Sequence, residues 1–169
     1  LSDPLIYEAF TYYDREVLPY KNDDMINAKA MPGAHAALQA VQDAGLRCAL
    51  FTNPSFPQGA IECRMGWGEL TDAPFELVTH MGNATRCKPD ATYYLEQLQV
   101  MGLEPHEVLM VGNDPKRDFP SPDCGIQTAY VGQGKPGRAT WRGTMEDFAR
   151  DFNAVVEAFY EHQIADELS

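Results

Sequence analysis

The sequence has few basic residues. Its 169 residues include 13 Lys and Arg against 25 Asp and Glu, which gives a formal net charge of −12 at pH 7. Such an acidic balance argues against binding to nucleic-acid phosphates or to anionic lipid, because both need a basic surface. Long apolar runs are also missing, and none approaches the ~20 residues that a membrane-spanning helix needs. We therefore expect no nucleic-acid partner and no membrane partner.

Cysteine is also scarce, and the four residues Cys48, Cys63, Cys87 and Cys124 form no C-x-x-C pair. This spacing argues against a zinc site or a disulfide framework and favours reduced thiols, so we expect a cytoplasmic protein. The first residues lack the basic head, apolar stretch and small-residue cleavage site of a secretory signal. Hydrophobic residues make up 44% of the chain, which is enough for a packed core.

Apolar periodicity and turn residues predict alternating helices and strands. The predicted helices cover residues 3–18, 32–45, 58–70, 90–101 and 144–161, and the predicted strands cover residues 46–52, 75–79, 107–111 and 127–131. Strands separated by helices predict an α/β fold, a Rossmann-like three-layer parallel sheet with helices on both faces. The Gly- and Pro-rich residues 132–143 predict a loop. In such sheets ligands bind at the carboxyl ends of the strands.

Polar side chains follow the first two predicted strands. Thr52 and Asn53 end the first strand, where a hydroxyl, an amide and backbone N–H groups can hold an anionic oxygen. Alternatively, one of them caps the next helix. Lys88 lies before the helix that begins at Asp90, and its ammonium can neutralise a phosphate or a nucleophilic carboxylate. The alternative for Lys88 is a solvated loop lysine.

Two carboxylates, Asp114 and Asp118, follow the third predicted strand. Mg²⁺ prefers oxygen ligands and usually takes one or two carboxylates from the protein besides substrate phosphate. Gly112 allows the backbone to approach a ligand closely. The alternative is a capped turn with Asp118 on a solvated helix face.

Two further motifs are rejected. The stretch Gly132–Gly137 matches G-x-G-x-x-G, but Pro136 and Gly143 interrupt the helix that a dinucleotide site needs after that turn. Cys87 lies beside Lys88 and could be a reactive thiolate, but no nearby His-Asp arrangement supports a nucleophile there.

The order of these signals resembles the haloacid dehalogenase-like (HAD) superfamily. Thr52 matches its second motif, Lys88 followed by Pro matches its third, and Asp114 with Asp118 after an apolar strand matches its fourth. Two longer stretches are similar to bacterial hydrolases of this superfamily: T-N-P-S-F-P at Thr52–Pro57 and M-V-G-N-D at Met110–Asp114. The sequence departs from the pattern at Pro120 and Pro122, which break a helix that usually follows the fourth motif.

The first motif of the superfamily, D-x-D-x-T/V, is absent, since no Asp-x-Asp occurs in the sequence. That motif supplies the nucleophile and a general acid/base, so the resemblance predicts a nucleophile strand upstream of Leu1. Residues 1–30 are then expected to be the end of a helical cap, and residues 31–169 an α/β core that lacks its first strand. A sheet without its central strand exposes unpaired edges, which would allow homo-oligomers to form.

The resemblance implies a Mg²⁺-dependent phosphatase that acts on a small phosphorylated metabolite through an aspartyl-phosphate. Thr52, Asn53 and Lys88 would bind the phosphoryl group, with Thr52 and Lys88 as catalytic residues, and Asp114 and Asp118 would hold Mg²⁺. The 169 residues alone would be inactive, because they lack the nucleophile. Two alternatives stay open: a non-catalytic or truncated interaction protein, and a metal-independent haloacid dehalogenase.

Overall fold

The computed structural model describes residues 3–23, 27–134 and 136–167. In chain order, the α-helices and strands of these residues are α1 (Pro4–Tyr12), α2 (Ala34–Asp43), β1 (Cys48–Leu50), α3 (Gln58–Trp67), β2 (Phe75–Val78), α4 (Ala91–Met101), β3 (Leu109–Gly112), β4 (Gln127–Val131), β5 (Trp141–Gly143), α5 (Met145–Arg150) and α6 (Phe152–Glu167). Their alternation confirms the predicted α/β fold. None of the described helices is long and apolar enough to cross a membrane.

The strand pairs are parallel, as predicted. β1 pairs with β2, with Leu50 opposite Val78. β3 pairs with β4, with Leu109 opposite Gln127, and β5 pairs with the other side of β4. Within the described residues β1 and β3 are not hydrogen-bonded to each other, so the strands form a two-stranded and a three-stranded sheet.

Both faces of the three-stranded sheet are covered by helices. Successive side chains of a strand point to opposite faces. Leu109 and Val111 pack on one side, against a core from β4, α2, α5 and α6, whose buried members are Ala37, Ala129, Val131, Phe148, Phe152 and Val155. Val108 and Met110 pack on the other side, against a core centred on α4, whose buried members are Tyr93, Tyr94, Leu98 and Ile126. Phe51, which follows β1, also packs against the α4 core, so this core joins the residue after β1 to β3.

Local signals set three of the helix ends at or next to the predicted positions. Asp90 caps α4, since its Oδ1 accepts a hydrogen bond of 2.9 Å from the Thr92 N–H. Gly102 ends the same helix in the left-handed region, at φ +66°. Asp3 caps α1 through a 2.9 Å hydrogen bond from the Leu5 N–H.

Two helix predictions need correction. The first helix is α-helical only to Tyr12, and the chain continues as a π-helix over Tyr13–Val17 and a 3₁₀-helix over Leu18–Tyr20. Apolar periodicity does not distinguish these hydrogen-bond spacings. The predicted last helix is interrupted at Asp151, where the backbone at φ −97° and ψ 14° ends α5 before α6 begins.

The predicted loop over residues 132–143 contains β5. This strand has three residues, which is too short for an alternating pattern to be visible in the sequence. Non-local contacts hold this strand in place. Trp141 lies opposite Ala129 of β4, and its ring packs edge to face against the ring of Phe148, with the two ring centroids 5.4 Å apart. As expected for the rejected dinucleotide motif, no helix begins in the described residues of Gly132–Gly137; Lys135 lies outside them.

The predicted cap segment contacts the core through its π-helix. Asp14 is 8% exposed and packs beside Gly59 of α3, and burial raises the pKa of its carboxyl group. The preceding helix α1 has no buried residue among those described. Its exposed large apolar side chains are Leu5, Ile6, Tyr7, Phe10 and Tyr12. The domain boundary at residue 30 stays a prediction.

We expect Leu98→Ala to lower the free energy of unfolding by about 2–5 kcal/mol, because it opens a cavity in the α4 core. Leu98 is 2% exposed, whereas Leu95 on the same helix is 42% exposed. The matched control Leu95→Ala should cost less than about 1 kcal/mol. Urea denaturation of both variants measures the difference, and equal losses would contradict the position of the α4 core.

Candidate active site

The residues singled out in the sequence lie in the three loops that follow β1, β2 and β3. Thr52 and Asn53 follow β1, Lys88 lies in the loop between β2 and α4, and Asp114 and Asp118 follow β3. Hydrogen bonds join Asn53, Lys88, Asp118 and Asp114 in series.

Lys88 and Asp118 form a buried ion pair. The Lys88 Nζ lies 2.6 Å from Asp118 Oδ1, and the two side chains are only 10% and 13% exposed. Charges withdrawn from water to this extent persist only when they are paired. The alternatives of a solvated loop lysine and of an Asp118 on a solvated helix face are therefore wrong.

The second oxygen of Asp118 organises the turn after β3. Its Oδ2 accepts the backbone N–H groups of Asn113 at 3.0 Å and Asp114 at 2.9 Å. A Cβ at Gly112 would lie 2.4 Å from the Asp118 Cβ, so the turn requires glycine there. Gly112 thus makes room for the Asp118 side chain. From the sequence we expected it to allow a ligand to approach the backbone, which is a different role.

Asn53 links the first loop to Lys88. Its Oδ1 accepts the Lys88 backbone N–H at 2.8 Å. Pro57 is the N-cap residue of α3, and no side chain caps that helix, so neither Thr52 nor Asn53 is a helix cap. The amide of Asn53 instead holds the Lys88 backbone next to the turn after β1.

Thr52 lies in a network of hydroxyl groups with Thr79 and Tyr93. The Thr52 N–H donates to Thr79 Oγ1 at 2.7 Å, and the Thr52 hydroxyl donates to the Thr79 carbonyl at 2.9 Å. The Tyr93 hydroxyl donates to the Thr52 carbonyl at 2.6 Å and lies 2.9 Å from Thr79 Oγ1. A phosphoryl oxygen would compete with the Thr79 carbonyl for the Thr52 hydroxyl hydrogen.

Tyr94, the next residue of α4, contacts the third loop. Its hydroxyl donates to the Asp118 carbonyl at 2.6 Å and approaches the Arg117 carbonyl at 3.3 Å. The rings of Tyr93 and Tyr94 pack edge to face, with centroids 5.1 Å apart. Burial raises the pKa of both phenols above the usual value, so both remain hydrogen-bond donors at neutral pH.

Sequence reasoning missed Thr79, Tyr93 and Tyr94 as site residues. Thr79 repeats the Thr52 pattern, a hydroxyl within two residues of a strand end, and that signal could have identified it. Tyr94 lies within the predicted helix over residues 90–101, and nothing local distinguishes its hydroxyl from that of a packing residue.

The segment after Asp118 is held without a helix. No helix occurs between Asp118 and β4, as the proline residues in that segment predict. The Arg138 guanidinium donates to the Pro120 carbonyl and forms a 2.8 Å ion pair with Asp123. This arginine ties the segment to the loop before β5.

Asp114 is the open carboxylate of the site. Its side chain is 45% exposed, its Oδ1 accepts the Lys116 backbone N–H at 3.0 Å, and its Oδ2 lies 3.6 Å from Arg117 Nε. It fits a Mg²⁺ ligand, because Mg²⁺ usually takes one or two carboxylates and completes its shell with water and phosphate.

Both oxygens of Asp118 already accept hydrogen bonds, so direct coordination of Mg²⁺ by Asp118 would compete with Lys88 or with the backbone. The described residues contain no cluster of three metal-binding side chains.

The arrangement combines a buried cation, two polar groups on the turn after β1 and an exposed carboxylate. Such a set can neutralise a bound oxyanion and hold a divalent cation against it.

Comparisons with known proteins identify a family. A family model described as haloacid dehalogenase-like hydrolase matches residues 4–121. A phosphoglycolate phosphatase of Nitrosospira multiformis is 25% identical to the chain over 158 residues, which cover 93% of this chain and 64% of that protein. The chain thus spans less than two thirds of this curated relative.

Solved structures share the fold. A HAD phosphatase from Thermococcus onnurineus superposes with a TM-score of 0.61 at 20% identity, covering 75% of this chain and 57% of that chain. A putative β-phosphoglucomutase from Thermotoga maritima superposes with a TM-score of 0.63 at 21% identity, covering 75% of this chain and 61% of that chain.

We expect removal of either partner of the buried ion pair to cost about 3–5 kcal/mol of unfolding free energy, because the other charge stays buried and unpaired. In a double-mutant cycle, the variant that combines Lys88→Met with Asp118→Asn should lose much less unfolding free energy than the sum of the losses in the two single variants. The control is the half-exposed pair Arg47–Glu76, whose coupling should be about 0–1 kcal/mol. Equal coupling in both cycles, measured by denaturation, would contradict the burial of the pair.

Gly112→Ala should displace Asp118, since the added methyl would overlap its side chain, and overpacking of this kind typically costs about 1–3 kcal/mol. Gly137→Ala is the control, because a Cβ there meets nothing within 4 Å. A crystal structure of the Gly112→Ala variant with an unchanged Lys88–Asp118 contact would refute this expectation.

Proposed function

The chain belongs to the haloacid dehalogenase-like hydrolase family, whose model covers more than half of it, and we propose that it forms the phosphate-binding and cation-binding part of a Mg²⁺-dependent phosphatase. The observation that carries the proposal is the buried Lys88–Asp118 pair, which lies between the Thr52–Asn53 turn and the exposed carboxylate of Asp114.

Each of these residues has a role in phosphoryl transfer, which depends on positioning and on charge stabilisation. Lys88 offsets the negative charge of the phosphoryl group and of an attacking carboxylate. The Thr52 hydroxyl and the Asn53 amide orient the phosphoryl oxygens. Asp114 would ligate the cation, and Asp118 holds Lys88 and the Asp114 N–H in place. When bound, Mg²⁺ supplies positive charge beside the phosphoryl oxygens.

The nucleophile is proposed to lie on a strand upstream of Leu1 that inserts between β1 and β3. Support comes from the lack of pairing between these two strands in the described residues and from the 64% of the phosphoglycolate phosphatase that the chain spans. A carboxylate oxygen of that strand would bond to phosphorus while the bond to the alcohol oxygen breaks. The alcohol would leave with a proton from a second carboxyl group, and water would then hydrolyse the aspartyl-phosphate to inorganic phosphate.

The exposed carboxylate of Asp114 favours a phosphatase over a metal-independent dehalogenase, which needs no cation ligand. A small phosphomonoester is the proposed substrate class, and phosphoglycolate is the first compound to test because the Nitrosospira multiformis relative carries that name. A non-catalytic interaction protein is the remaining alternative, favoured by the absence of Asp-x-Asp from the sequence.

The test compares the 169-residue chain with the chain extended upstream, using p-nitrophenyl phosphate and phosphoglycolate with and without a chelator. The extended chain should hydrolyse phosphomonoester only with Mg²⁺, and the 169-residue chain should be inactive. Lys88→Ala and Asp114→Ala should each lower kcat/KM by about 10²–10³, the typical effect of losing one charge-stabilising group.

Lys29→Ala and Asp72→Ala are matched controls, because both residues are exposed and belong to no part of the site. Equal Mg²⁺-dependent activity of both chains would show that the nucleophile lies within the 169 residues. Activity in neither would exclude the phosphatase and leave the interaction protein.

A further inference from the structure

We propose that Tyr93 and Tyr94 are separate positioning residues for the two halves of the site, Tyr93 for the turn at Thr52 and Tyr94 for the loop at Asp118. This inference rests on the proposed phosphatase function. Both tyrosines lie in the first turn of α4 and both are 0% exposed. A buried phenol needs a partner for its hydroxyl group, and here the two partners belong to different loops.

Tyr93 acts on the anion-binding side. Its hydroxyl donates to the Thr52 carbonyl at 2.6 Å, while Thr79 Oγ1 accepts the Thr52 N–H at 2.7 Å. The 2.9 Å contact between the two hydroxyl groups of Tyr93 and Thr79 couples these bonds. The polar backbone atoms of Thr52 are therefore held by side chains, at the turn that presents Thr52 and Asn53 to a phosphoryl oxygen.

Tyr94 acts on the cation-binding side. Its hydroxyl holds the Asp118 carbonyl at 2.6 Å, and the Asp118 carboxylate in turn holds Lys88 Nζ and the Asp114 N–H. A displacement of the backbone at Asp118 would therefore move both the Lys88 ammonium and Asp114, the residue that would ligate Mg²⁺. Tyr94 is therefore a positioning residue, which acts on Lys88 and Asp114 through Asp118.

The two tyrosines are matched controls for each other. Tyr93→Phe and Tyr94→Phe each remove one oxygen from the same buried turn of the same helix, so a purely structural role predicts similar losses in both. Burial raises the pKa of both phenols, so each hydroxyl keeps its hydrogen throughout the assay range. The hydrogen bond is therefore the property that differs between each variant and the parent.

The experiment uses the upstream-extended chain with p-nitrophenyl phosphate. Tyr93→Phe should raise KM and the Ki of inorganic phosphate about tenfold and leave the Mg²⁺ concentration for half-maximal activity unchanged. Tyr94→Phe should lower kcat about tenfold and raise that Mg²⁺ concentration, with the phosphate Ki unchanged. Thr79→Val should reproduce the Tyr93→Phe pattern, and Thr79→Ser, which keeps the hydroxyl, should restore parental values.

Equal effects of the two Phe variants on the same parameters, or no effect of either, would overturn the inference. If the extended parent chain has no activity, the proposed phosphatase fails, and the amide spectrum of the same protein decides the inference separately. Tyr93→Phe should then shift the amide resonances of Thr52 and Asn53, and Tyr94→Phe those of Asn113 and Asp114. The same set of shifted resonances in both variants would refute it.

Discussion

The buried ion pair between Lys88 and Asp118 is the contact on which the candidate site depends. Its side chains are 10% and 13% exposed, so each charge needs compensating partners, because an unpaired buried charge costs several kcal/mol. The Asp118 carboxylate also accepts hydrogen bonds from two backbone N–H groups, and the Asn53 side chain accepts one from the Lys88 backbone N–H. These requirements join the loops after β1, β2 and β3 into one unit, although β1 and β3 themselves are not paired in the described residues.

Helix α4 provides the apolar part of the same unit. Phe51 after β1 and Met110 of β3 pack against the core that contains its buried side chains, so burial of apolar surface holds the helix against both segments. The hydroxyl groups of Tyr93 and Tyr94 then reach opposite loops. The hydrophobic effect is non-directional and sets where the helix lies, whereas the hydrogen bonds are directional and set how each loop is oriented.

The two acidic residues after β3 have different environments, and this bears on function. Asp118 is paired with the Lys88 ammonium and accepts two backbone N–H groups, while the Asp114 side chain is 45% exposed and its carboxylate contacts the Lys116 N–H and Arg117. One carboxylate thus holds the site together and the other is available to a ligand. The motif order that indicated the family does not by itself distinguish the two roles.

The sequence by itself determined the alternation of helices and strands, the starts of two helices at Asp3 and Asp90, and the places where Thr52, Lys88 and Asp114 follow their strands. These features depend on local periodicity and on residues close in the chain. Only the tertiary structure decided that β5 exists, that Lys88 pairs with Asp118 and that two tyrosines hold the loops. Lys88 and Asp118 are 30 residues apart, and Tyr93 and Thr52 are 41 apart. A hydrogen-bond partner at such separation is chosen by packing in three dimensions, which no local pattern encodes.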